Sequence, residues 1–265
     1  MAQLDIKVLI KQVPNTAEVK IDPHTGTLMR EGMESIINPD DLHAIEAALQ
    51  LRDAHGGKVT AISMGPPQAV DVLREALGMG VDECVLLTDR AFAGADTLAT
   101  SYTLGKCVRK IGRFDLVIVG HQAIDGDTAQ IGPQVAEFLD IPQVIRAITF
   151  EIKGDELLAE RTAEEGTEVV KCTLPVLVTV TKEANEPRYQ FVPLLMAAFE
   201  ADAPIKVWGR QDIGADQERI GLKGSPTKVQ RTFTPTIEKK IEKLDGQPAE
   251  MARTLVERLR ERRVI

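Results

Sequence analysis

Short apolar runs alternate along this chain with stretches whose apolar residues recur at helical spacing. This alternation restricts the fold more than any other feature. Residues 6–10, 59–63, 84–88, 116–119 and 176–180 are aliphatic runs of strand length. Between them, Leu42, Ile45 and Leu49 share one helical face, as do Val70, Leu73 and Leu77, and then Leu98, Leu104 and Val108. A strand–helix–strand succession predicts an α/β fold: an open, mainly parallel sheet with helices on both faces. Aromatic residues make up only 4% of the 265 residues, so the core is expected to be built from Val, Ile, Leu and Ala.

The helix starts carry the next layer of information. Asn38-Pro39-Asp40-Asp41 offers a capping residue, a proline at the first helical position and acid in the first turn. Gly65-Pro66 follows the second strand run, Asp96-Thr97 the third, and residues 125–128 the fourth. In a parallel sheet all these starts lie at the carboxyl ends of strands. That edge gathers unpaired N–H groups and positive helix ends, and it is where open α/β sheets take phosphate-bearing ligands.

Beyond Val180 the pattern changes. Residues 183–196 contain two prolines and read as a loop. Residues 209–248 are polar and rich in Gly and Pro, and residues 249–263 then read as a helix with Met251, Leu255 and Leu259 in register. The expected organisation is therefore an α/β domain over residues 1–208 and a C-terminal arm over 209–265 that needs another surface to pack on.

Composition excludes several classes. The net charge of −8 argues against a nucleic-acid binder. No segment approaches the length of a membrane span, and the opening run is too short for a signal sequence, which points to a soluble, cytoplasmic setting. Cys84, Cys107 and Cys172 form no CxxC pair, and His24, His43, His55 and His121 are dispersed, so neither a disulfide framework nor a metal centre is expected. The arm carries 13 Lys/Arg against 9 Asp/Glu on an otherwise acidic chain. Charge of that kind suits an acidic partner, and equally a solvated helix surface.

The strongest local motif is Gly120-His121-Gln122-Ala123-Ile124-Asp125-Gly126-Asp127-Thr128-Ala129-Gln130-Ile131-Gly132-Pro133, directly after a strand run. Its glycines allow close backbone approach to a phosphate. Asp127 and Gln130 have capping-box spacing. A helix that began at Asp127 would lose a hydrogen bond at Pro133, so the start also fits nearer Gly132. By spacing alone the motif reads equally as a phosphate loop and as a Gly/Asp turn before a capped helix. It is neither a Walker A loop nor GxGxxG, and no GxSxG, HExxH or Cys/His pair supplies a catalyst. Hard chemistry would then belong to a bound cofactor.

Residues 159–170 (AERTAEEGTEVV), followed by Pro175 and the run 176–180, resemble the signature of electron-transfer flavoprotein beta subunits. Asn38-Pro39, Gly65-Pro66, Gln122-Ala123-Ile124-Asp125 and Asn185-Glu186-Pro187-Arg188-Tyr189 match the same family in order, and the resemblance extends from Ile6 to Pro235. It implies a Rossmann-like, adenine-nucleotide-binding domain that pairs with a larger alpha subunit carrying a flavin. It also implies a nucleotide site at Leu9, Asn38, Asp40, Asp41, Met64 and the whole stretch from Gln122 to Pro133. One branch of the family holds AMP there as a structural ligand. The electron-bifurcating branch holds FAD, which takes hydride from NADH.

Residues 89–101 (DRAFAGADTLATS) resemble the bifurcating branch. Thr97 and Thr100 lie one helical turn apart. Their hydroxyls suit the polar edge of a flavin ring, with Gly94 leaving room, or they bond their own backbone. The resemblance thus implies electron delivery to a flavin-containing dehydrogenase and to a low-potential acceptor such as ferredoxin or flavodoxin. Val192, Pro193, Leu194, Leu195 and Met196 match the family's partner-recognition loop, although its lysine-rich continuation is missing.

Overall fold

A computed structural model describes residues 3–15, 35–228, 230 and 241–265; His24 and the end of the resemblance at Pro235 lie outside the described residues. The chain divides into two compact units, Met1–Lys228 and Val229–Ile265.

The first unit is a parallel sheet with an antiparallel extension. Its parallel strands are β1 (Leu4–Leu9), β4 (Gly57–Met64), β5 (Glu83–Leu87), β6 (Leu116–Gly120) and β10 (Val176–Val180), so each aliphatic run of the sequence is a strand. The intervening helices are α1 (Pro39–His55), α2 (Val70–Met79), α3 (Thr97–Ile111) and α4 (Ile131–Leu139). A small antiparallel pair, β2 (Gln12–Pro14) and β3 (Ser35–Ile37), precedes α1.

Several elements escape the periodicity reading. β7 (Gln143–Lys153), β8 (Glu156–Ala163) and β9 (Gly166–Thr173) form an antiparallel meander, β11 (Ile205–Trp208) adds a parallel edge strand beside β5, and α5 (Val192–Ala197) is a short helix where a loop was expected. Among the described residues the main sheet runs β11-β5-β4-β1-β6-β10-β7-β8-β9.

The two faces bury separate aliphatic cores. Val8, Ile45, Leu49, Leu73 and Leu77 pack together beneath α1 and α2. Leu9, Ile62, Leu104, Val108 and Val135 pack beneath α3 and α4. Fully burying a side chain of this size contributes about 1.5 to 3 kcal/mol, so strand polarity and helix placement are heavily specified. The chain winds outward from β1 through β4 to β5, then returns through α3 to β6 on the other side of β1. The carboxyl ends of β1 and β6 therefore form the point where the winding reverses, with Leu9 in register with Val119. Crevices in open sheets occur at such points.

Residues 209–228, expected to begin the arm, belong to the first unit. Ile213 and Ile220 are buried in the α3 face, and the boundary falls after Lys228. The second unit contains α6 (Pro248–Glu261), close to the helix read over 249–263, with a proline at its first turn. Among the described residues no helix is long and apolar enough to cross a membrane.

Candidate functional site

The candidate site is the carboxyl edge of the sheet around β1, β6, and the starts of α1, α3 and α4. At the start of α1 the sequence reading needs a correction. Asn38 occupies the N-cap position, but its side chain does not cap the helix. Fully buried, it reaches across to the loop after β6, donating to the Gln122 carbonyl at 2.8 Å and accepting from the Ile124 N–H at 3.1 Å. Asp40 accepts from the Gln122 N–H at 3.3 Å. Asp41 accepts from the Lys11 N–H at 2.8 Å and the Gly120 N–H at 3.2 Å, joining the ends of β1 and β6. Burial pushes the Asp41 carboxyl up to about 7, against the pull of those amide donors. Gly120 is obligatory here: a Cβ would lie 2.3 Å from the Asp41 Oδ1.

The loop itself departs from the capping-box reading. α4 begins at Ile131, not near Asp127, and Asp127 is in the left-handed region at φ 50°. Pro133 then falls in the first turn, where its missing N–H costs nothing. Ala123 accepts from the Gly126 and Asp127 N–H groups, tightening the turn. Ala129 is also left-handed at φ 53°, and Gln130 after it is right-handed. Alternation of this kind turns successive N–H groups toward one concave side, a nest for anions. The N–H groups of Ala129, Gln130, Ile131 and Gly132 donate to no acceptor among the described residues. They sit at the positive end of α4. A left-handed alanine costs about 1 to 2 kcal/mol, so this geometry is held by its surroundings.

The surroundings are visible. Gly132 packs so tightly on the sheet that a Cβ would lie 2.6 Å from Thr179 Cγ2. Lys11 Nζ contacts both Asp125 carboxylate oxygens at 2.7 Å, offsetting one of the two charges that sit awkwardly in a phosphate loop. Thr128 and Gly126 face solvent, with open space beside Gly126.

The α3 start closes onto this loop. Asp96 caps α3 by accepting from the Ala99 N–H at 3.1 Å, as its position in the sequence predicts. Thr97 Oγ1 does not bond its own backbone; it donates to Gln130 Oε1 at 2.8 Å and accepts from Gln134 Nε2 at 3.3 Å. Thr100, half-buried one turn on, has a hydroxyl without a partner among the described residues. Gly94 has φ 73°, and the space beside it is taken by Leu222, 3.2 Å from where a Cβ would stand. Leu9 is buried under the site and Met64 is half-buried at the end of β4. His121 stands in the loop with its pKa lowered by burial and by Arg146, and so is neutral at pH 7.

The structure thus brings Asn38, Asp40, Asp41, Thr97 and the 122–133 loop into one network. It does not bring Val192, Pro193, Leu194, Leu195 and Met196 to it. Those residues form α5, which packs on α2 through Leu195 against Gly78. Leu194 and Met196 are exposed, and Tyr189 beside them almost completely so. Arg188 fixes the segment, bonding the buried Glu46 carboxylate at 2.7 Å and Asp53 at 3.0 Å. Two network members, Lys11 and Gln134, were not singled out by the sequence. Gln134 had a signal, since it lies four residues after Gln130 on the polar side of the α4 pattern.

Comparison with known proteins shows the family. The family model of the electron transfer flavoprotein domain matches residues 25–211. The electron transfer flavoprotein subunit beta of Thermoanaerobacterium thermosaccharolyticum is 53% identical over 99% of this chain and 100% of its own length. That of Clostridium acetobutylicum is 52% identical over the same shares. Caffeyl-CoA reductase-Etf complex subunit CarD of Acetobacterium woodii is 48% identical over 98% of this chain and 99% of its own. These matches establish that the chain belongs to the electron transfer flavoprotein family, as a beta subunit.

Proposed function

We propose that this chain binds FAD at the α3–α4 edge and, paired with an alpha subunit, takes electrons from NADH and bifurcates them. One branch would run through the alpha-subunit flavin to a flavin-containing dehydrogenase, the other to a low-potential acceptor of the ferredoxin or flavodoxin kind. The observation that carries this reading is the Thr97–Gln130–Gln134 bonding. It joins the residues that resemble the bifurcating branch to the loop that resembles the nucleotide site. The similarity to a subunit of a caffeyl-CoA reductase-Etf complex lends support to a role with a reductase partner.

The donor set fits a dinucleotide. The unpaired N–H groups of residues 129–132 suit a pyrophosphate. Asn38 and Asp40 hold the loop that carries them. The free Thr100 hydroxyl and the Thr97 hydroxyl on the same helix face suit the polar edge of a planar ring. When bound, FAD would supply the hydride and one-electron chemistry. The chain's own groups would orient it and fix its hydrogen-bond partners. Exposed Leu194 and Met196 on the rigidly anchored α5 suit a partner contact, and the second unit suits packing on the alpha subunit. A cytoplasmic setting fits the three free cysteines.

The test is to purify the heterodimer and determine its nucleotide content. A second FAD per heterodimer, bleached by NADH, is expected. One FAD accompanied by AMP would overturn the assignment in favour of a structural AMP site.

A further inference from the structure

Residues 209–228 follow the edge strand β11 and return over the α3 face. Tyr102 on α3 anchors them: its ring stacks edge-on with Phe138 at 5.4 Å, lies 4.1 Å from the Arg219 guanidinium, and its hydroxyl accepts from the Asp216 N–H at 3.0 Å. The chain then runs along the residues that precede Thr97. Gly221 has φ 56°, and a Cβ there would stand 2.0 Å from the Ala91 carbonyl oxygen. Leu222 donates its N–H to the Ala93 carbonyl at 3.0 Å. Ser225 Oγ accepts from the Asp96 N–H at 2.8 Å and donates to the Gly221 carbonyl at 2.7 Å. Thr227 donates both its N–H, at 3.0 Å, and its hydroxyl, at 2.8 Å, to Asp96 Oδ2.

Asp96 is therefore held on both oxygens. Oδ1 caps α3, and Oδ2 is gripped by Thr227. This is more than an N-cap needs, since one acceptor satisfies it. The second grip instead fixes where the first turn of α3, and with it the Thr97 hydroxyl, stands against Gln130.

We propose that residues 221–227 are a latch on the α3 start, and that Ser225 and Thr227 are positioning residues for the ligand site, which they do not touch. The inference rests on the reading that Thr97 faces bound FAD. It has a consequence by chain continuity alone. The latch ends next to Lys228, where the first unit ends and the second begins. Thr227 is thus the last residue bonded to the α3 start before the chain passes into the second unit.

The test uses the heterodimer and two readouts: hydrogen exchange at the amides of residues 96–101, and FAD titration of the site this chain contributes. The double variant Ser225→Ala with Thr227→Val removes the side-chain hydrogen bonds of both residues but leaves the Thr227 N–H in place. We expect faster exchange at the Ala99 amide and about tenfold weaker FAD binding, the factor for losing ordinary hydrogen bonds whose net effect is small. Thr227→Ser alone keeps the hydroxyl and is expected to behave as the parent in both. Thr97→Val separates the two readings. If Thr97→Val weakens FAD and the double variant does not, the latch is overturned and the site stands. If Thr97→Val binds FAD as the parent does, the FAD reading at Thr97 fails. Unchanged exchange in the double variant overturns the latch in either case.

Discussion

Asn38 gives the most direct test of how the site is assembled. Its buried side chain spans from the α1 start to the loop after β6 and makes two hydrogen bonds, to the Gln122 carbonyl and from the Ile124 N–H. Asn38→Ala removes both. At about 0.5 to 1.5 kcal/mol each, the loss is about 1 to 3 kcal/mol. Water reaches the exposed Ile124 end of the loop more easily than the Gln122 end, which places the expected value near 2 kcal/mol. For a domain of this size that is a fall in Tm of roughly 4 to 8 °C. Asn38→Asp is the sharper variant, because it keeps the acceptor for Ile124 but sets a second oxygen against the Gln122 carbonyl, beside Asp40 and Asp41. The introduced carboxyl has a folded pKa raised above its unfolded one. Its stability is therefore present at low pH and lost as pH rises through the folded value. Urea unfolding at pH 5 and pH 8, each compared with the parent at the same pH, checks both. A loss below about 0.5 kcal/mol for Asn38→Ala, or an Asn38→Asp penalty that does not grow with pH, would refute the bridging role.

Two further outcomes follow from the ionisable groups. Asp41 has its pKa raised from 3.8 to about 7, so it favours the fold below pH 4 and loses that contribution as pH rises through about 7. The penalty of Asp41→Asn, measured by urea midpoints, should accordingly shrink between pH 4 and pH 8; a constant penalty would contradict the assignment. Arg188→Ala strands the Glu46 carboxylate, which is only 6% exposed and whose pKa is lowered by the Arg188 guanidinium once that outweighs burial. Breaking a buried pair by removing one partner costs about 3 to 5 kcal/mol. Arg188 itself is a third exposed, so screening reduces this to about 2 kcal/mol. The parent's advantage over the variant should fall as pH drops below the ordinary glutamate range, and thermal denaturation from pH 3 to pH 7 measures it.

The central parallel strands were legible because they are largely buried on both faces and read as aliphatic runs, as in β6 and β10. The meander was not. β7 mixes buried, half-buried and exposed residues, while β9, with none fully buried, carries Glu, Lys and Thr on an edge. Hydrophobicity alone gives such strands little contrast with a loop. One stretch that carried the family resemblance, 159–170, lies on β8, β9 and the turn between them, apart from the network of the candidate site. The site was legible as a place, since helix starts cluster at strand ends, but not as a mechanism. Asn38 has the composition of a cap and instead ties a loop that is remote in sequence. Asp127 and Gln130 have capping-box spacing, yet the left-handed backbone at residues 127 and 129 delays the helix to Ile131. Choices of this kind depend on tertiary partners, and local spacing does not encode them.

The donors at the sheet edge come from four segments that meet only at the winding reversal: the end of β1, the start of α1, the start of α3 and the loop before α4. None of the four can present its groups in an unfolded chain. Whatever occupies the edge therefore binds the native state alone and shifts folding by mass action, by about 2.7 kcal/mol when free ligand is a hundredfold above its Kd. The level of that ligand then becomes a setting for how long the folded subunit resists proteolysis, independently of any reaction it takes part in.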